Sequence, residues 1–584
     1  MKLLLFAVVA IQASVLQGQQ LQSLKRVAIP EPPELGSYVR DREALIALGK
    51  AFFWDMQAGS DGRTACATCH FHAGADHRAQ NLLVDPIQIF PVNRQLDMYI
   101  FPFRWLADPG NRNSQVIRDI SMRVGSAGVF RRRFMDIVPG EASELGEDVL
   151  DRPEFISDGL QVRRVTARNT PTVINSVFNI RNFWDGRASR FFNGFTPSGG
   201  ADVPGILFAR SGVLERRQTR LNNASLSSQA AGPALDTIEM SYEGRTWPKL
   251  GKKMLSLAPL AIQRVASTDS VLGRMANAAG PGLQDGISYL GLIQAAFHPG
   301  YWDSTQLVDA SGNALAGRVG RPATTSEFTQ AEYNFPLFWG LSLQAYQATL
   351  VSDDSPFDRF MEGEDTALTP LEQEGMRFYQ TTGRCTNCHG GAEMTAASFS
   401  AGNFGIENNR AFQRTGVRPV AEDIGTGNGS FKSSGLRNIE FSGPYFHNGG
   451  AANLEQVVEF YMRAGDFAPI NGLRSFGANS TQKAALVAFM NALTDDRVRH
   501  ERAPFDHPEL CVPAGHLESR PGVLAAGDSV RYPLSAAEKW VAIPAVGAAG
   551  NRAPLQTFEE LLEGIGKDGS RAHALTEVCT APLP

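Results

Sequence analysis

Two short strings constrain this chain of 584 residues more than any other feature: CATCH at 66–70 and CTNCH at 385–389. Each has the C-x-x-C-H spacing at which two thiols add to the vinyl groups of a porphyrin and the adjacent histidine reaches the iron. A redox C-x-x-C pair does not need the histidine, and a zinc site needs a second Cys/His pair nearby. We therefore expect two covalent c-type haems, with His70 and His389 as iron ligands. The thioether bonds would form at Cys66, Cys69, Cys385 and Cys388.

The first residues predict export. A lysine at position 2 precedes an apolar run at 3–10 that fades before Gly18, which is typical of a secretory signal at 1–18 and too short to span a membrane. The alternative is an ordinary N-terminal helix. No later stretch is long and apolar enough to cross a bilayer. We expect a periplasmic or secreted protein, which suits c-type haem because its attachment takes place outside the cytoplasm in bacteria.

The remaining cysteines predict a disulfide, and the net charge argues against one class of partner. Only Cys511 and Cys579 lie outside the two strings, and in an oxidising compartment they are expected to form a disulfide. The alternative is two free, buried thiols. A net charge of −5 gives no reason to expect nucleic acid as a partner.

The chain divides into two segments with the same order of elements. A stretch with helical spacing at 43–54 leads to the first string, and another at 369–379 leads to the second. This order predicts a mainly α fold of two cytochrome c-like domains, each holding one haem, with long loop insertions at about 75–165 and 191–225. A polar, proline-containing linker ends near 366. The expected divisions are a signal peptide at 1–18, an N-terminal domain at 19–350, a C-terminal domain at 351–500 and an extension at 501–584.

Five ordered motifs lie between and after the haem strings, at 167–175, 182–188, 228–240, 431–438 and 443–449. On these motifs the chain resembles the bacterial dihaem cytochrome c peroxidase superfamily, over roughly 40–260 and 365–500. That superfamily includes the dihaem enzyme that matures a tryptophan-derived quinone cofactor. The extra length resembles a large-sized branch that includes the rubber oxygenases.

The resemblance implies unequal roles for the two haems. The N-terminal haem would react with peroxide or oxygen, and the C-terminal haem would relay electrons. Glu239 matches the distal acid–base residue, and a carboxylate in a dry pocket can take a proton from one peroxide oxygen and deliver it to the other. Gln229 and Pro233 would shape that pocket, and Trp184 would lie between the haems.

Two further ligand sets follow from the same resemblance. Asn169 matches a calcium ligand, with backbone carbonyls near Ser442 and Pro444 completing an oxygen site of the kind that calcium prefers. The distal ligand of the second haem falls at Tyr461 by register, with Met462 beside it as the alternative. A methionine ligand raises the haem potential, and an anionic tyrosine lowers it.

One departure from the resemblance concerns the first haem. Short peroxidases of this type often carry a second histidine eight positions before the asparagine of the Arg-Asn-x-Pro string, where this chain has Gln161. His72 is too close to His70 to reach the opposite face, and His77 would reach it only if the insertion folds back. We therefore expect a five-coordinate or water-bound reactive haem.

Three functions remain open at this stage. The favoured one is a peroxidase or peroxidase-like oxidase that uses hydrogen peroxide and draws electrons from a small cytochrome c, a cupredoxin or an organic substrate. The second is a rubber-oxygenase-like dioxygenase that uses O2 to cleave C=C bonds, which the chain length favours. The third is an electron-transfer or haem-sensing protein without turnover. Glu239 favours the first, and the oligomeric state is left open.

Overall fold

The computed structural model describes residues 19–80, 82–84, 95–157, 159–401, 410–516, 535, 538–566 and 579. The predicted signal segment at 1–18 lies outside the described residues. Within the described ranges, no helix has the length and apolar character that crossing a membrane requires.

The helices supply the frame of the molecule, and 28% of the chain is helical. In the described part of the chain they are α1 Arg42–Trp54, α2 Ala67–His70, α3 Ser225–Ala230, α4 Trp247–Leu255, α5 Tyr289–Ala296, α6 Gln330–Tyr333, α7 Phe335–Gln347, α8 Pro356–Met361, α9 Pro370–Gln380, α10 Leu454–Met462, α11 Ser480–Asn491, α12 Asp496–Arg499 and α13 Phe558–Glu563.

The strands form isolated antiparallel pairs rather than a continuous sheet. The strands are β1 Leu82–Val84, β2 Arg104–Leu106, β3 Val116–Asp119, β4 Met122–Val124, β5 Arg132–Asp136, β6 Leu145–Asp148, β7 Ile156–Ser157, β8 Leu160–Gln161, β9 Ile206–Arg210, β10 Val213–Arg217, β11 Gln306–Val308, β12 Ala314–Val319, β13 Phe412–Gln413, β14 Phe431–Lys432, β15 Leu510–His516 and β16 Glu538–Ile543. The pairs are β1–β4, β2–β3, β5–β6, β7–β8, β9–β10, β11–β12, β13–β14 and β15–β16.

The prediction of loop insertions needs a correction. The segment at 75–165 contains the strands β1 to β8, and the segment at 191–225 contains the β9–β10 hairpin. These strands are short and many of their side chains are exposed, so they lack the long alternating apolar pattern that identifies a strand in a sequence. The predicted linker near 350–366 also differs, because it contains α8, which begins at Pro356 after the capping residue Ser355.

The first core is built around α1, which precedes the first haem string. The Asp41 carboxylate accepts a hydrogen bond from the Ala44 amide at 3.0 Å and caps the helix. The buried face of α1, including Phe52, packs on α5 and α7. Gly49 allows the close approach of α7, because a Cβ at this position would overlap the Ser342 carbonyl.

The second core is built around α9, which precedes the second haem string. Thr369 and Glu372 form a capping box at its first turn, as the sequence Thr-Pro-x-Glu indicates. Gly375 lies against the Ala485 carbonyl of α11, where a side chain would overlap the backbone. This core also holds Leu21, whereas Leu24, three residues later, belongs to a separate cluster with Val177, Phe178 and Leu226.

The C-terminal extension packs on the first core. Side chains of the β15–β16 hairpin, among them Val512 and Val541, belong to the same buried cluster as α1. The Arg78 guanidinium donates to the Pro513 carbonyl at 2.7 Å, which joins the hairpin to the loop after the first haem string. A disulfide links Cys511 of β15 to Cys579.

Candidate functional site

The first haem string forms the short helix α2 inside the first core. Cys66 and Cys69 are not joined to each other, and burial raises the pKa of each thiol to about 12. Nδ1 of His70 lies 2.8 Å from the Gly74 carbonyl oxygen. Because a carbonyl can only accept, Nδ1 carries the hydrogen and the lone pair lies on Nε2, the arrangement that second-shell partners give to a metal-binding histidine.

Glu239 lies close to this string although it is more than 160 residues away in sequence. Its charge acts on both Cys66 and Cys69 and helps to raise their pKa values. Burial, followed by the charge of Asp236, raises the pKa of Glu239 itself to about 8, against the opposing effect of Arg187. The structure therefore brings a carboxyl group that holds its proton near neutral pH to the first haem string.

The turn before Glu239 is fixed by the side chain of Asp236. The Asp236 side chain accepts hydrogen bonds from the Ile238 amide at 2.8 Å and from the Glu239 amide at 3.1 Å. Gln229 lies in α3, and Pro233 begins a short 3-10 turn after it. Gln229 and Pro233 thus precede Glu239 on one compact segment, which is where the sequence motif predicts them.

The second haem string borders a cavity of about 1120 Å³, which is called the second cavity after that string. Its wall includes Cys385, Cys388, His389 and Tyr461. Nδ1 of His389 lies 2.8 Å from the Ser434 carbonyl oxygen, so this histidine also presents Nε2 as its lone-pair nitrogen. Two unpaired thiols, an oriented imidazole and a cavity of this size fit a covalently attached haem.

The structure separates Tyr461 from Met462. Both lie in the last turn of α10, but Tyr461 borders the cavity and its phenol is close enough for Cys385 and Cys388 to raise its pKa, after burial. Met462 is not in the cavity wall, and its terminal methyl group lies toward Gly110 in the loop between β2 and β3. Of the two candidates, Tyr461 is therefore the one that borders the cavity, and its role as the distal ligand stays a prediction.

Trp184 lies at the junction of the two halves of the chain. Its Nε1–H donates to the Asn169 carbonyl oxygen at 2.7 Å, and the Lys432 amide donates to the Trp184 carbonyl at 2.6 Å. The indole also meets the His447 ring edge to face, with centroids 6.4 Å apart. Because Trp184 is in the wall of the second cavity, it is placed to contact a cofactor there.

The predicted calcium ligands border the same cavity. Asn169, Ser442 and Pro444 all line the second cavity. The Asn169 side-chain amide donates to the Val124 carbonyl at 3.3 Å, which leaves its Oδ1 as the oxygen available to a cation. No group of three or more His, Cys, Asp or Glu side chains that could hold a metal occurs in the described ranges, so a cation here would depend on amide and carbonyl oxygens.

The structure also locates the residues considered as second ligands of the first haem. Gln161 is buried, and its Oε1 accepts from the Asp151 amide at 2.8 Å. His77 is fully buried, and its ring lies against that of His72 with centroids 3.9 Å apart. His72 in turn bonds the Gln556 carbonyl at 2.8 Å. The coordination of the first haem stays a prediction.

Three residues of this site were given no role from the sequence. His447 stacks on Phe431 with ring centroids 3.7 Å apart, and Lys432 is a buried lysine in the cavity wall. The motifs at 431–438 and 443–449 contain all three. A sequence pattern does not reveal which polar side chains of a motif face a cavity, so their positions had to come from the structure.

Comparisons with known proteins agree with these motifs. A family model described as Di-haem cytochrome c peroxidase matches residues 144–298. The cytochrome c551 peroxidase of Nitrosomonas europaea is 34% identical over 333 residues, which cover 56% of this chain and 66% of that protein. The cytochrome c peroxidase Ccp of Escherichia coli is 24% identical over 303 residues, 50% of this chain and 42% of that protein.

Among solved structures, the diheme peroxidase BthA from Burkholderia thailandensis aligns with 84% of this chain and 95% of its own, at 16% identity and a TM-score of 0.38. The chain spans 42% and 66% of the lengths of the two curated relatives above.

Proposed function

This chain belongs to the di-haem cytochrome c peroxidase family, and we propose that it is a peroxidase that reduces hydrogen peroxide at the first haem string. Electrons would reach that site through a second haem at 385–389. The observation that carries this proposal is the position of Glu239. A carboxyl group with a pKa of about 8 lies close enough to Cys66 and Cys69 for its charge to raise their pKa values, near the string where an acid–base group for peroxide is needed.

The residues around the first string have separable roles in this proposal. A haem bound at His70 supplies the iron at which peroxide binds and its O–O bond breaks. Glu239 in its carboxylate form accepts a proton from the oxygen nearer the iron. It then donates that proton to the farther oxygen, which leaves as water. Asp236 holds the Glu239 backbone, and the raised pKa lets one group perform both transfers near neutral pH.

The residues around the second string would receive and pass on electrons. Tyr461 and His389 line the same cavity, and they would be the iron ligands of a haem bound there. Trp184 is in contact with both halves of the chain through its indole N–H and its carbonyl. We propose it as the aromatic group that lies between the two haems. The electron donor is proposed to be a small cytochrome c or cupredoxin in the periplasm.

The domain divisions at 350 and 500, the covalent attachment of both haems and the calcium ion belong to the same proposal. The shared position of Asn169, Ser442 and Pro444 supports the calcium ion, which would hold the junction beside Trp184. Removing the ion with a chelator is expected to slow electron transfer between the haems without releasing either haem.

Stopped-flow spectroscopy of the reduced dihaem protein tests the peroxidase proposal. Hydrogen peroxide is expected to oxidise the protein rapidly, and O2 much more slowly. Glu239→Gln should abolish most of the reaction with peroxide. Glu243→Gln provides the matched control, because Glu243 lies four residues further on with an exposed side chain. A rapid reaction with O2 that has the same rate in Glu239→Gln as in the unmodified protein would instead support the dioxygenase alternative.

A further inference from the structure

We propose that Lys432 is the counter-ion of a haem propionate in the second cavity and that it raises the reduction potential of that haem. The proposal depends on the haem that the proposed function assigns to the second string, but it does not depend on peroxide turnover. It concerns a side chain for which the sequence motif gave no role.

Lys432 is fixed at the wall of the cavity. It lies in β14, which pairs with β13, and its amide donates to the Trp184 carbonyl at 2.6 Å. Only 8% of the residue is exposed, and the residue lines the cavity together with Cys388 and His389. Within the described residues, its ammonium group has no hydrogen-bond or ion-pair partner.

The other buried lysines differ from Lys432 because each of them is paired with a carboxylate. Within the described ranges these are Lys50, Lys252 and Lys253, and each has a carboxylate partner. The nitrogen–oxygen distances are 2.8 Å to Asp269, 3.0 Å to Glu332 and 2.7 Å to Glu144 respectively. A buried charge without a partner is costly, which is why buried lysines are normally paired. Lys432 alone in this group lacks such a carboxylate.

The electrostatics of the cavity point to an anionic ligand group. Burial lowers the pKa of Lys432 to about 8, and no carboxylate of the described residues opposes this shift. Among those residues, the cavity wall contains one carboxylate side chain, Glu393, and four arginines, Arg384, Arg410, Arg437 and Arg474. A haem attached through its vinyl groups retains two propionate groups. A propionate near Lys432 would supply the missing partner and keep the lysine charged.

A positive charge at this position has a direct consequence for the cofactor. Oxidation leaves the haem one charge more positive, so a nearby ammonium destabilises the oxidised state and raises the reduction potential. The Lys432 amide is hydrogen-bonded to the carbonyl of Trp184, the residue proposed to lie between the two haems. The lysine would thus affect electron transfer by raising the reduction potential of the second haem.

Redox titration followed by optical absorption tests this role. In Lys432→Met the midpoint potential of the second haem is expected to fall, while that of the first haem stays unchanged. Lys432→Arg should restore most of the difference, because the charge is kept. Lys483→Met is the matched control, since Lys483 is a more exposed lysine that pairs with Glu459. An unchanged potential in a Lys432→Met protein with both haems attached would overturn the proposal.

A crystal structure of the unmodified dihaem protein gives a test that does not require a variant. The Lys432 Nζ should lie within about 3.2 Å of a propionate oxygen. An ammonium group that is bonded only to water or to a protein carboxylate would refute the assignment. If both haems are present and the potential shifts but peroxide is not consumed, the peroxidase proposal fails and the role of Lys432 stands.

Discussion

The indole N–H of Trp184 donates a 2.7 Å hydrogen bond to the backbone carbonyl of Asn169. The Asn169 amide donates in turn to the His447 carbonyl at 2.8 Å, and the Trp184 carbonyl accepts from the Lys432 amide. These bonds join a segment before the second haem string to two segments after it. The orientation of the indole is therefore set by both halves of the chain.

Replacing Trp184 with phenylalanine tests this junction. Phenylalanine keeps an aromatic ring but leaves the Asn169 carbonyl without its donor, so we expect a loss of about 1 kcal/mol in the free energy of unfolding. Electron transfer between the haems should slow, which time-resolved absorption after rapid reduction would measure. Trp302→Phe is the control, because that indole donates at 3.1 Å to Phe297 close by in sequence. Equal slowing in both variants would contradict a specific role for Trp184.

The second prediction concerns the strength of acid–base catalysis. Glutamine at position 239 has nearly the shape of glutamate but cannot carry a proton between the peroxide oxygens. We expect kcat/KM for hydrogen peroxide to fall by about 10²–10⁴-fold in Glu239→Gln, with both haems still attached. Glu243→Gln should keep the activity of the unmodified protein. A Glu239→Gln enzyme that turns over peroxide at the original rate would rule out the assigned role.

The pH dependence follows from the same carboxyl group. Its pKa of about 8 means that the fraction in the base form increases as pH rises through 8, so the reaction with peroxide should accelerate there and reach a plateau. Asp236 raises this pKa, so Asp236→Asn should move the midpoint of the profile to lower pH. Arg187 lowers it, so Arg187→Gln should move the midpoint to higher pH. Shifts in the same direction for both variants would exclude Glu239 as the titrating group.

The sequence predicted the peroxidase-like fold in outline, and its ordered motifs named candidate site residues whose roles stay predictions. Glu239 could be associated with the first haem string because the motifs follow one another in a fixed order, and in the structure its charge acts on Cys66. The hairpins at 75–165 were missed because their short, exposed strands are stabilised by pairing with each other, which a local pattern does not reveal. The contact of Leu21 with the second core is likewise a tertiary contact without a local signal.

Lys432 shows the same limit within a recognised motif. Its place in the string at 431–438 was evident, but a lysine in a sequence is by default an exposed, solvated residue. Only the structure shows that it is buried in the cavity wall without the carboxylate that Lys50, Lys252 and Lys253 have.

The fourth set of variants distinguishes the two candidate ligands on α10. Tyr461→Phe removes the phenol oxygen that borders the cavity, so the absorption and electron paramagnetic resonance spectra of the second haem should change. Met462→Leu replaces a side chain that lies toward Gly110, and it should leave both spectra as they are. The reverse result, with a change only in Met462→Leu, would identify the methionine as the ligand.

A buried ion pair lies at the wall of the second cavity, and it leads to a prediction about the stability of the protein. Arg437 in the cavity wall makes a two-pronged contact with Asp358, at 2.6 and 2.9 Å, and both side chains are buried. Asp358 also accepts from the Leu24 amide at 2.9 Å. Arg437→Met would leave the carboxylate buried without its cation, so we expect the free energy of unfolding to fall by about 3–5 kcal/mol.

The pH dependence of this pair has a definite sign. Burial alone would raise the pKa of Asp358, but Arg437 and the hydrogen bonds from Ser355 and Leu24 hold it below its usual value of 3.8. The pair therefore stabilises the protein fully above the unfolded-state pKa, and this stabilisation is lost as the pH falls through the lower, folded-state pKa. Denaturant unfolding across acidic pH should show a smaller loss of stability in Arg437→Met.

Arg377→Met removes the exposed pair with Glu374 and should change little, at most about 1 kcal/mol. Equal effects of the two substitutions would show that the buried pair contributes no more than a surface one.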